Sequence, residues 1–320
     1  MIRVRRWAGA LLASALLTAC RAGGGVFLSV PEARGLRVMV SVPEAHGLRV
    51  TAHEENGIFL DHGFDSSVMS DRRIRKVVGW LKARAFTYQL HNITAFNADG
   101  TMDPAKYSQL AHWIRVSRAA DPHQKIVAYL SGSLALVNTA STWHEIARVC
   151  RMFVKRYGVD GVNLDFEPYR TNNVANYKGL FRTVRRAIGT SPDLSLDYTA
   201  DPGYQWTPSD FKAVSAYFNM IMPMLYDTSC RSKSCYTALL AKILAYQYAH
   251  KAANAEIYPL IPTYTKSRWH DPAVENIATA ATEIRSLQNA KNIGIVGVGV
   301  WWYYGWNHAA ESDWEKDWLK

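Results

Sequence analysis

The chain has 320 residues, of which 48% are hydrophobic, 20% charged and 12% aromatic. That leaves ample apolar mass for a core and excludes a disordered or fibrous chain. Lys and Arg outnumber Asp and Glu by 37 to 27, a formal charge of +10 that favours acidic surfaces. No basic run is long enough to argue for nucleic acid.

The chain opens on MIRVRR, a positively charged start, followed by an apolar stretch over residues 7–19. This reads as an export leader and is too short for a bilayer span, which needs about 20 residues. Leu17-Thr18-Ala19-Cys20 resembles the bacterial lipobox, where cleavage precedes a Cys that is then lipidated. Plain secretion, with cleavage after a small residue, is the alternative. The resemblance implies a cell-envelope protein held to the membrane through a lipid on Cys20. Arg21 follows; an Asp there would have signalled inner-membrane retention in a Gram-negative host.

The next segment is duplicated. SVPEARGLRV at 29–38 recurs as SVPEAHGLRV at 41–50, with only Arg34 and His46 differing. Two copies are too few for a solenoid, so a spacer between anchor and domain is expected. This divides the chain into a leader at 1–20, a linker at 21–54 and a domain at 55–320.

From residue 55 onward, strand and helix patterns alternate. Short β-prone runs occur at 57–60, 86–90, 125–130, 159–165, 194–199, 217–222, 257–261 and 293–301. Helical periodicity fills 72–82, 107–116, 142–157, 177–188, 237–250, 273–288 and 312–318. Thr142 with Glu145 three residues on is the pattern of a capping box. Eight strands, nearly all followed by a helical segment, predict in this length a closed parallel (β/α)8 TIM barrel, an α/β fold of about 250 residues. A doubly wound sheet would show a Gly-rich turn after its first strand, where this chain reads Asp61-His62-Gly63-Phe64. The connection between the last two strands is short, which leaves little room for an inserted subdomain there.

Cys230 and Cys235 flank a polar Arg-Ser-Lys-Ser segment. In an oxidising compartment they are expected to form a small-loop disulfide, with two free thiols as the alternative. Cys150 lies in an apolar helical pattern and reads as core. No Cys/His spacing matches a zinc site.

The chemistry lies in the fourth strand, DGVNLDFE at residues 160–167. Val162, Leu164 and Phe166 face one way; Asn163, Asp165 and Glu167 face the other. In a barrel the second set points inward, and Glu167 reaches the C-terminal mouth, where active sites of this fold lie. Two neighbouring carboxylates repel, so the pair should keep a proton near neutral pH. A protonated Glu is what a general acid needs.

DGVNLDFE resembles the DGxDxDxE signature of glycoside hydrolase family 18, the chitinases and endo-β-N-acetylglucosaminidases. KIVAYLSGS at 125–133 is similar to the family's SxGG region, with Ser133 in place of its second Gly. Met224-Leu225-Tyr226-Asp227 is similar to its MxYD motif. Trp301 ends strand eight, where the family places a Trp under the sugar. The resemblance implies a glycosidase using substrate-assisted retaining hydrolysis, an exception to the two-carboxylate scheme. Glu167 would be general acid and base, and Asp165 would hold the acetamido N–H. Tyr226 would hold the acetamido carbonyl, and Asp227 would bind the sugar nearby.

The implied partner is a polysaccharide or glycan with 2-acetamido sugars, with no metal or organic cofactor and the protein acting as a monomer. Asn163 stands where the family commonly has Asp. It can still hydrogen-bond Asp165, but it cannot carry a proton as an acid, so a shifted pH profile is expected. Substrate contacts are expected at Asn163 and Trp301, and at Tyr88, Trp206 and Tyr264, because flat rings stack on sugar faces. Two other readings stay open. One is a non-catalytic carbohydrate-binding barrel. The other is a conventional glycosidase pairing Glu167 with Asp227 or Asp201.

Overall fold

The computed structural model describes residues 55–265, 268–291 and 293–320, together with three short strands near the N-terminus. These strands, Cys20–Ala22, Gly25–Leu28 and Val40–Ser41, pair antiparallel in a small sheet of their own. Residues 1–19 of the expected leader and most of both repeat copies lie outside the described residues.

Residues 55–320 build a closed barrel of eight parallel strands. We label the strands β1 (Asn56–Leu60), β2 (Phe86–Ala95), β3 (Lys125–Ser133), β4 (Gly161–Glu167), β5 (Asp193–Thr199) and β6 (Met220–Met224). β7 comes in two pieces, Glu256–Ile257 and Leu260–Pro262, and β8 is Gly299–Trp301. Each strand pairs with the next, and β8 returns to β1 through Gly299 opposite Gly57. The main helices follow their strands: α1 (Asp71–Ala83), α2 (Leu110–Ala120), α3 (Trp143–Met152), α4 (Val174–Ile188), α5 (Pro208–Ser215), α6 (Lys233–His250), α7 (Ile277–Lys291) and α8 (His308–Asp313).

The core has the two layers that this alternation dictates. Outward residues such as Ile58, Leu60, Val162, Leu164 and Phe166 are buried under the helices. Inward residues Phe59, Tyr88, Leu90, Val127, Met220, Met222, Tyr258 and Leu260 fill the barrel. Gly132 on β3 shows how tightly the outer layer closes. It lies opposite Phe166, and a Cβ there would stand 2.4 Å from the Phe166 ring.

Several details depart from the sequence pattern. α5 was not expected, although Thr207 caps it through Asp210 N and Pro208 opens its first turn; Pro at the first helical position is a start signal. β6 begins at Met220, because residues 217 and 218 turn back to hydrogen-bond the end of α5. The capping box at Thr142 does not form. The Thr142 hydroxyl donates instead to the Leu136 and Thr139 carbonyls, and Glu145 pairs with Arg148. Among the described residues, no helix is long and apolar enough to cross a membrane.

Candidate active site

The DGVNLDFE segment divides into a foot and a mouth. At the foot, Asp160 accepts from Ile126 N at 2.8 Å and pairs with Arg118 at 3.1 Å, which pins β4 to β3 and α2. Gly161 follows because a Cβ there would meet the Asp193 carbonyl at 2.7 Å. The mouth carries the acids. Asn163 and Asp165 are buried, and Glu167 opens to solvent at the strand's end.

Asp165 and Glu167 line a cleft of about 680 Å³ with Tyr129, Tyr226, Asp227 and Trp301. The lining also takes in residues 199–202 at the end of β5, Cys230 in the loop after β6 and Cys235 in the first turn of α6. Those two cysteines form a disulfide, and Cys150 is a buried free thiol.

The charges are arranged so that the pair holds a proton. Burial pushes Asp165 up to about 7, and the adjacent Glu167 charge adds to this. The Tyr129 hydroxyl opposes the rise by donating to Asp165 Oδ2 at 2.7 Å. Glu167 is also raised, first by desolvation and then by the charge of Asp227. The aromatic floor is continuous: Trp301 stacks on Tyr226 with ring centres 6.0 Å apart and packs edge-on against Phe59 at 4.9 Å.

The loop after β6 is held from behind. Asp227 and Ser229 have positive φ values of 54° and 62°, a left-handed region uncommon for residues other than Gly, Asn, Asp and His. Glu275 fixes the turn by accepting from both the amide and the hydroxyl of Thr228, and Ser229 N donates to the Trp269 carbonyl. His270 packs on Tyr264 and sits 3.1 Å from Glu275, completing the support.

The remaining sequence candidates are scattered. Tyr88 faces inward but lies at the foot of the barrel, where its hydroxyl receives a hydrogen bond from Lys125 Nζ at 2.7 Å. It is too deep to reach the cleft lining. Trp206 is also away from the cleft: it is 1% exposed and packs among Tyr169, Tyr177 and Tyr198. Tyr264 touches Tyr226 edge-on at 6.0 Å and lines a smaller neighbouring cavity. Asn163 lies beneath the cleft, and its amide bonds Ser195 and Asp197 rather than Asp165.

Two polar residues of the site escaped the sequence reading, Tyr129 and Asp197. The period-2 alternation that exposed Asp165 also puts Tyr129 inward on β3 and Asp197 inward on β5. Among the described residues, no group of three His, Cys, Asp or Glu side chains is placed to hold a metal ion.

A family model for the glycosyl hydrolases family 18 matches residues 73–316. The chain belongs to this family. It is a glycosidase on a family-18 barrel, and solved structures share that architecture. A chitinase of Rhizomucor miehei is 15% identical, with a TM-score of 0.62 over 82% of this chain and 99% of that one. A chitinase of Bacteroides thetaiotaomicron is 16% identical, with a TM-score of 0.62 over 82% and 93%. A family-18 N-acetylglucosaminidase of Paenibacillus barengoltzii is 13% identical, with a TM-score of 0.58 over 82% and 99%. No curated protein matches the sequence.

Proposed function

We propose that this family-18 glycosidase cleaves a glycan containing N-acetylglucosamine outside the cytoplasm, by substrate-assisted hydrolysis with retention. The observation that carries the reading is the pair of raised acids Asp165 and Glu167 on one strand face, lining one cleft with Tyr226 and Trp301.

The sugar at the cleavage point rests on Trp301. Glu167, protonated, gives its proton to the glycosidic oxygen as the bond to C1 breaks. The carbonyl oxygen of the substrate's own 2-acetamido group attacks C1 from the opposite face, giving an oxazolinium ion. Tyr226 directs that carbonyl. The Asp165 carboxylate accepts the acetamido N–H and balances the positive charge, an electrostatic role that gains strength with burial. Glu167, now a carboxylate, takes a proton from water as it adds to C1, and the acetamido group is released.

The same cleft supports a second reading, because the Asp227 charge is felt directly by Glu167. In a two-carboxylate mechanism Asp227 would be the nucleophile, and the acetamido group would be dispensable. Export is supported by the leader pattern and by the Cys230–Cys235 disulfide, since such bonds persist in oxidising compartments. Anchoring through Cys20 rests on the lipobox pattern alone.

The test compares the parent with Glu167→Gln on chitooligosaccharides, peptidoglycan and a high-mannose N-glycopeptide, with products read by mass spectrometry. The parent should cleave at least one of these. The variant should lose at least about 10³-fold in kcat while still binding. A thiazoline mimic of the oxazoline should inhibit strongly. Cleavage of glycans lacking the acetamido group would shift the mechanism to Asp227. Sugar binding without turnover in both proteins would identify a binding barrel.

A further inference from the structure

The cluster beneath the cleft holds more acceptors than donors. Asn163 Nδ2 donates to Ser195 Oγ at 2.9 Å and to Asp197 Oδ1 at 2.8 Å. Three buried oxygens are left with no donor: Asn163 Oδ1, Asp165 Oδ1 and Asp197 Oδ2. Leu164 pairs with Leu196 across β4 and β5, so Asp165 and Asp197, one residue further along each strand, are neighbours on the inward face. Asp197 is 1% exposed.

No ion pair among the described residues reaches either carboxyl. The titratable groups facing Asp197 are Asp165 and Glu167 from β4, Tyr129 from β3, Tyr226 beyond β6, and Tyr169 from the loop after β4. None is a cation. Tyr129 already donates to Asp165 Oδ2, and the Tyr169 hydroxyl is bound to the Asp197 backbone carbonyl.

We propose that Asp197 is a positioning residue for Asp165: it is held as the neutral acid, and its proton supplies the missing donor to this trio of oxygens. Buried acceptors without donors are costly, and a single proton on Asp197 turns one acceptor into a donor. Asn163 carries no acidic proton, so the second carboxyl of the cluster comes from β5 instead of β4. Burial and the nearby Asp165 charge both press Asp197 well above the ordinary carboxylate range. With Asp197 neutral, Asp165 can carry the negative charge that opposes the oxazolinium ion. This role rests on the catalytic reading given to Asp165 above.

Two variants and two measurements test it. Asp197→Asn keeps a donor in the same shape but has no acid proton; Asp197→Ala removes the donor. Isotope-edited infrared spectra at pH 7 should show the carbonyl stretch of a neutral carboxylic acid in the parent, with one such band absent from both variants. In turnover, Asp197→Asn should stay within about threefold of the parent. Asp197→Ala should lose about 10- to 100-fold in kcat with little change in KM, as for a lost hydrogen bond to a charged group. Its acid limb should rise by about one pH unit, since Asp165 becomes harder to ionise.

The proposal fails if the parent and Asp197→Asn have the same neutral-acid bands. Equal loss of kcat in both variants with an unmoved pH profile also overturns it, since that is the mark of a purely structural residue. The infrared measurement needs no turnover. An absence of glycosidase activity would therefore overturn the catalytic reading and still leave the protonation of Asp197 decided.

Discussion

Asp165→Asn should stabilise the protein at alkaline pH while removing its activity. Burial pushes Asp165 up to about 7 in the folded protein, from an ordinary value of 3.8. Between those values the folded state binds more protons than the unfolded state, so stability falls as pH rises. At 1.36 kcal/mol per pH unit, the whole interval corresponds to about 4 kcal/mol. Solvent reaching the pair through the open rim at Glu167 screens the ionised Asp165, which reduces the expected difference to about 2 kcal/mol. Asparagine never ionises, and it can still accept the Tyr129 hydroxyl. Urea unfolding at pH 4 should therefore give parent and variant nearly equal stability. At pH 8 the variant should be more stable by about 2 kcal/mol, the penalty the parent carries for an ionised buried carboxylate. A variant no more stable than the parent at pH 8, with the same slope against pH, would refute the argument.

Two further substitutions probe the same wall of the barrel. Tyr129→Phe removes the hydroxyl that favours the Asp165 carboxylate, so Asp165 should titrate higher and the acid limb of kcat should move up by about one pH unit, as lost charged hydrogen bonds do; an unmoved limb would show that Tyr129 does not tune Asp165. Gly132→Ala places a methyl group 2.4 Å from the Phe166 ring and should cost about 2 kcal/mol by overpacking, lowering Tm by about 5 °C. An unchanged melting curve would mean that Phe166 can move aside freely.

The sequence by itself determined the architecture and put two acids on one inward strand face. Strand and helix patterns alternate from residue 55, and the Asn163-Asp165-Glu167 alternation leaves these three side chains no common direction but inward. The two acids two residues apart on one face already imply a raised proton affinity, because their repulsion follows from strand geometry alone.

Height along the barrel and contacts across strands were not local, and only the tertiary structure decided them. Alternation gives a face and not a depth: Tyr88 and Tyr129 both point inward, yet Tyr88 meets Lys125 at the foot while Tyr129 reaches Asp165. That difference is set by the stagger between neighbouring strands, which closure of the barrel fixes. Trp206 follows β5 closely enough to suggest the mouth, but its loop folds back. Its amide donates to the Tyr198 hydroxyl at 2.7 Å, and its ring is buried among three tyrosines. Asp197 is the clearest case. Alternation puts it on the inward face of β5 and says nothing of its neighbours; its proximity to Asn163 and Asp165 exists only because β4 and β5 pair in this register.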